Sequence, residues 1–237
     1  MFKDLLKTDL RLIIHKPVLL SAILIPLLLV LILKFIFPFI SDLISSGRRL
    51  QPENYFTIIS IILIFSIPVI VGILLASGFS NRNLFSSPFQ NNRKEINLIF
   101  LIRIVETLIL SFVLVLLAIV TTNPVPSEGW LRTIYVSVLL ALQSVHIVFL
   151  ITNRIYHKAD NAIIYFICAL LLIAVPAGLL LKSPFNCLAF FSPLYWISWA
   201  WVTAVQIESI ISGVISLIII SGPVFLIYRL LFKKKPV

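Results

Sequence analysis

The side chains best placed for chemistry in this 237-residue sequence are Arg103, Glu106 and His146, because each is a polar, ionisable group inside a long apolar run. Such a group is expensive to leave unpaired among apolar residues, so it marks a polar path or an internal pair. Arg103 and Glu106 stand three residues apart, the spacing that puts two side chains on one face of a helix. Counted from Ile96 at the helical rise, they lie about 10 and about 15 Å into a bilayer. Two roles fit them: a polar lining of a translocation path, or a self-contained pair that fixes helix packing. His146, with Gln143 and Ser144, forms a second small polar group. A metal would need further ligands, but His15 and His157 fall near other segment ends and no H-x-x-x-H or C-x-x-C spacing occurs, so no metal site is expected. His146 therefore reads as a hydrogen-bonded packing residue. Nucleophilic chemistry is thin too: no G-x-S-x-G elbow is present and no two carboxylates sit close together at depth, so no catalytic residue is assigned.

The elements that must position these residues follow from composition. The chain is 60% hydrophobic and 12% charged, with a mean hydropathy of +1.13, whereas soluble domains are about 45–50% apolar and about 25% charged. A water-soluble globule is excluded. A bilayer crossing needs about 20 apolar residues, and the punctuation of the sequence predicts six, near 17–40, 56–79, 96–121, 132–152, 160–182 and 207–231. The expected fold is all-α: a six-span membrane domain over 17–237 preceded by a short segment, 1–16. The run after Lys16 is too long for a signal-peptide core, so it is expected to remain as the first span. No G-x-x-x-x-G-K-[ST] phosphate loop occurs, so any ATP must be bound by another chain. Cys168 and Cys187 are too few for a disulfide framework.

Nineteen Lys and Arg against nine Asp and Glu give a net charge of +10, which in a membrane protein reports orientation rather than nucleic-acid binding. Threading six spans puts fourteen of the nineteen cations on the side that carries both termini and five on the other. Both termini are therefore expected in the cytoplasm of a plasma-membrane protein. Lys34 and Lys182 fall near outer ends and can reach the headgroups. Wound as a helix, residues 1–16 put Phe2, Leu5, Leu6, Leu10, Leu12 and Ile13 on one arc and Lys3, Lys7 and Arg11 on the other, the pattern of a helix lying on the anionic inner leaflet. In the loop after the second span, Arg93, Lys94 and Glu95 lead into the third span; they are either a topogenic charge or part of a short surface helix offered to a cytoplasmic partner. Outside, residues 183–206 are apolar but broken by Pro184 and Pro193 and rich in Phe190, Phe191, Tyr195, Trp196, Trp199 and Trp201. Prolines forbid one continuous helix and aromatic rings favour the headgroup level, so two short interfacial or re-entrant pieces are expected before the last span. Gly72 with Ala76, and Ser209 with Gly213, have the small-x-x-x-small spacing of close helix contacts.

Three patches together, MFKDLLKTDLRLIIHKP, NNRKEINLIFLIRIVETL and SPLYWISWAW, resemble the type 2 ABC-transporter permease superfamily, the six-span membrane subunits of bacterial exporters. Arg93, Lys94 and Glu95 match its polar-charged element and Arg103 its basic residue in the third span, whereas its Glu and Gly-Thr stretch is absent and Pro88 comes early. The resemblance implies a dimer of permease chains in the bacterial inner membrane, with the 1–16 helix and the 80–95 loop docked on separate ATP-binding subunits. It implies no cofactor on this chain and an amphiphilic substrate: drug, peptide or lipid-like. A proton-driven carrier working through Glu106, or an intramembrane enzyme using Glu106 and His146, are the alternatives.

Overall fold

The computed structural model describes residues 17–36, 52–80, 93–122, 129–154, 172–173, 175, 189–203 and 206–233. Among them the protein is all-helical, with no strand. Six helices follow one another: α1 Pro17–Leu31, continued by a π-helical turn Ile32–Ile36, α2 Pro52–Ser80, α3 Arg93–Thr122, α4 Trp130–Arg154, α5 Pro193–Val202 and α6 Gln206–Lys233. Three contain a stretch long and apolar enough to cross a membrane: Ile59–Ala76, Leu101–Thr122 and Trp130–Phe149. Leu20–Phe35 and Gln206–Gly222 are shorter apolar helices. Of the fifth expected span only Leu172, Ile173 and Val175 are described, all helical, with Val175 in the core. The segment 1–16 lies outside the described residues.

Proline shapes two of these elements without ending them. Pro26 lies inside α1 and Pro68 inside α2. Each removes one backbone hydrogen bond, which a water-exposed helix tolerates poorly but which packed neighbours in an apolar medium can accommodate. Pro17, Pro52 and Pro193 instead open helices, where the missing N–H would have had no helical partner anyway.

The faces are sorted in the reverse of a soluble protein. Along α3, Leu101, Val105, Ile109, Val113 and Leu117 recur every fourth residue and point outward, while Arg103, Thr107 and Ser111 point inward ahead of Leu114 and Ala118. Helix α6 repeats the arrangement, with Ile207, Ile211, Val214 and Ile218 outside and Ser209, Ser212 and Ser216 inside. Aliphatic surface turned outward is stable only against an apolar surround, so the two helices are built for lipid. Three of their inward hydroxyls bond back to their own helix: Thr107 Oγ1 donates to the Arg103 carbonyl at 2.8 Å, Ser212 Oγ to the Glu208 carbonyl at 2.7 Å and Ser216 Oγ to the Gly213 carbonyl at 2.7 Å. With that capacity closed, short side chains let the backbones approach.

Helix α4 is the axis of the assembly and packs against α2, α3, α5 and α6, while α1 lies on α2 and α3. The α3–α4 link of seven residues can span at most about 25 Å, less than the length of either helix, so these packed neighbours run antiparallel. Where α2 meets α4, a Cβ on Gly72 would stand 2.9 Å from the Cβ of Ile147 and 3.0 Å from the Ser144 carbonyl oxygen. Where α6 meets α4, the Tyr135 ring fills the space over Gly213, and its hydroxyl donates to the Ile210 carbonyl at 3.4 Å. The glycine of each small-residue spacing thus sits on a helix contact with no room for a Cβ.

Candidate functional site

The third span's charges sit as a pair inside the bundle. Arg103 Nη1 and Glu106 Oε2 are 4.0 Å apart, with the two side chains 8% and 16% exposed. The spacing that suggested a shared face is what the helix delivers, and the pair lies at the end of the polar stripe that continues through Thr107 and Ser111. Two charges taken out of water support each other, so removing one costs more than removing both together.

Helix α4 supplies the second polar group. Gln143, Ser144 and His146 are all buried. Ser144 Oγ donates to the Ala141 carbonyl at 2.7 Å, but neither amide atom of Gln143 nor Nδ1 of His146 has a hydrogen-bond partner, and the hydroxyls of Ser60 on α2 and Ser111 on α3 share that state. The histidine expected to pack within the bundle is buried, and its Nδ1 has no hydrogen-bond partner. Among the described residues no three His, Cys, Asp or Glu gather in the geometry of a metal site.

The aromatic segment before the last helix separates into two parts. Ser192 precedes α5 and Pro193 opens it, as the helix-breaking reading of that proline requires. Phe190, Tyr195, Trp196 and Trp199 then form one group: Phe190 lies 5.2 Å from Tyr195 and 5.5 Å from Trp196, Tyr195 meets Trp196 edge-on at 5.2 Å and stacks on Trp199 at 6.4 Å. Trp196 Nε1 donates to the Phe190 carbonyl at 2.8 Å, which ties the turn to the helix. Phe191 beside them is 87% exposed. Trp201 does something else. It is 1% exposed and stacks on Phe65 of α2, centroids 5.8 Å apart and planes 12° from parallel. Grouping it with an interfacial belt is corrected by the helical period: at about 100° per residue, position 201 lies some 200° round from 199 and faces the core. The short α5 is therefore buried along most of its length rather than laid on the surface.

At its far end α5 is fastened to α6, which begins at Gln206 with three residues between the two helices. The Thr203 N–H donates to the Trp199 carbonyl at 3.0 Å, Thr203 Oγ1 bonds Glu208 Oε2 at 3.0 Å and Ser209 Oγ donates to the Ala200 carbonyl at 2.7 Å. Sequence reading paired Ser209 with Gly213 but missed Tyr135 and Glu208, which carry no spacing signal of their own.

Arg93, Lys94 and Glu95 form the first turn of α3, so they continue the membrane helix and do not belong to a separate surface helix. The preceding loop, 81–92, lies outside the described residues, as do Lys3, Lys7 and Arg11.

The fold defines a membrane protein with an all-helical bundle whose polar residues turn inward. Residues 9–79, which take in α1 and nearly all of α2, match the family described as fluoroquinolones export permease protein Rv2686c-like. No curated protein and no solved structure matches the chain.

Proposed function

We propose that this chain is the membrane-spanning permease subunit of an ATP-driven exporter, moving an amphiphile of the fluoroquinolone kind out of a bacterial cytoplasm. The observation that carries the reading is the match of residues 9–79 to an export permease family. The inside-out sorting of α3 and α6 supports it, because a path for a partly polar molecule needs polar groups within and aliphatic groups towards lipid. Ion pair Arg103–Glu106 would border that path or brace it. Energy would come from a separate ATP-binding subunit, since the sequence has no phosphate loop. Arg93, Lys94 and Glu95, rigidly joined to α3, would transmit the partner's movement into the bundle, and the basic helix 1–16 with Lys3, Lys7 and Arg11 would rest on the inner leaflet beside it. The aromatic group Tyr195, Trp196 and Trp199 would hold the outer end at headgroup level. A second permease chain would complete the path, with both termini of each in the cytoplasm.

The experiment is gentle solubilisation of tagged protein from its own membrane, followed by identification and assay of what comes with it. A stoichiometric subunit carrying a phosphate loop, whose ATPase drives fluoroquinolone export in vesicles, is the expected outcome. Charge reversal of Arg93, Lys94 and Glu95 should then leave ATP hydrolysis running without export. Recovery of the chain alone, exporting in response to a proton gradient, would replace the reading by a proton-driven carrier.

A further inference from the structure

One pair of side chains in the bundle is used neither by the ion pair nor by helix packing. Gln143 is fully buried with both amide atoms lacking a hydrogen-bond partner, and His146, 6% exposed, has its Nδ1 in the same condition. Buried polar atoms without partners are rare because each has given up its water for nothing, and such groups are kept where something else meets them. The neighbouring polar groups of α4 are not in this position: Ser137 Oγ donates to the Thr133 carbonyl and Ser144 Oγ to the Ala141 carbonyl. Single hydroxyls of Ser60 and Ser111 share the condition, but on α4 three such atoms gather on two residues, Gln143 and His146, and their three-residue spacing puts them on one side of the helix. Ile147 turns toward Gly72 of α2, and at the helical period Gln143 and His146 stand about 40° and about 100° round from it, on the flank of that contact. The residues about one turn before and after Gln143 on the same helix, Leu139, Leu140 and Ile147, are buried aliphatics.

A primary amide presents a donor and an acceptor side by side, the complement of a carboxylic acid or another amide, and an imidazole nitrogen adds a third contact one helical turn away. We infer that Gln143 and His146 are the polar contact point for the carried molecule, an amphiphile whose apolar body bears a carboxyl or amide group. This inference rests on the transport reading above. Both residues are buried in the structure, so the inference requires a conformation of the bundle in which the cargo reaches them.

The test uses the full chain with its co-purifying subunits in lipid nanodiscs and a fluoroquinolone as probe, its own fluorescence reporting binding by anisotropy. Gln143→Leu and His146→Phe should each weaken binding about tenfold, the loss expected for one well-made hydrogen bond. Their thermal midpoints should stay level or rise, because an aliphatic or aromatic group replaces one that has no partner. His146→Asn, which can place a polar atom near the Nδ1 position, should keep most of the affinity. Unchanged binding in both apolar variants while the wild type binds would overturn the inference and leave the transport reading standing. Weakened binding accompanied by a lowered midpoint would overturn it too, by showing that the two residues hold the fold. A wild type that neither binds nor exports the probe would refute the transport reading, and the inference would fall with it.

Discussion

Replacing Gly72 by alanine adds one carbon at a tight contact between α2 and α4. The new Cβ would lie 2.9 Å from the Ile147 Cβ, 3.0 Å from its Cγ2 and 3.0 Å from the Ser144 carbonyl oxygen. Two of these three atoms are a side-chain stem and a backbone oxygen, so no rotamer change clears them and the helices themselves must part. Overpacking of this kind costs about 1–3 kcal/mol, while alanine's better helix propensity returns up to about 1 kcal/mol. The net effect is a destabilisation of about 1–2 kcal/mol, which for a chain of this size lowers the thermal midpoint by about 2–8 °C. Tryptophan fluorescence of the detergent-solubilised protein is a direct readout, since Trp201 stacks on Phe65 of the displaced helix. Gly222, inside α6, is the control: a Cβ there meets nothing within 4 Å, so Gly222→Ala should be neutral or stabilising by up to about 1 kcal/mol. A second arm separates stem from tip. In an Ile147→Ala background the Cγ2 is gone but the Cβ and the Ser144 oxygen remain, so most of the Gly72→Ala penalty should persist. Equal midpoints for Gly72→Ala and Gly222→Ala would refute the argument, and so would full relief by Ile147→Ala.

Gly213→Ala should also destabilise, but here the obstacle is the end of the Tyr135 side chain, so Tyr135→Ala in the same protein should recover much of the loss, read by the same melting assay. For the buried charges, Glu106→Gln or Arg103→Met alone should lower stability by up to about 3–5 kcal/mol, while Arg103→Met with Glu106→Leu should be milder than either; a strictly additive double variant would show that the two charges do not depend on each other. Trp201→Ala should cost about 3–5 kcal/mol through the cavity it leaves and erase near-ultraviolet dichroism from the stack, whereas Trp199→Ala, at a side chain 40% exposed, should cost much less.

Much of the architecture was legible because lipid imposes a simple rule. A long apolar run must become a helix, so α2, α3, α4 and α6 fall within a few residues of the stretches expected from punctuation alone. Pro193 opens a helix as its chemistry demands, and Arg103 pairs with Glu106 as their spacing demands. What the sequence did not disclose is direction around an axis. In a helix that is apolar on every side, the period that marks an inward face in water is erased, so nothing separated Trp201, which is core, from Trp199, which is not. The partners of Gly72 and Gly213 were hidden for a related reason: a glycine announces that something comes close, and only three dimensions say that the visitors are Ile147 and Tyr135. The end of the expected first span was drawn past Ile36, into residues outside those described, and the fifth span is represented by three residues alone.

Because α4 carries Ser137, Gln143, Ser144 and His146 and is the least apolar of the three helices long and apolar enough to cross a membrane, its entry into one would be the hardest of the three. Of its neighbours among the described residues, α2 and α3 precede it along the chain. If α2 and α3 insert before α4 is made, α4 would find protein to receive its polar residues instead of hydrocarbon. The order of helices along the chain is thus part of how the bundle is built: the same α4 sequence, placed alone between two soluble reporters, should enter a bilayer less efficiently than it does behind α2 and α3.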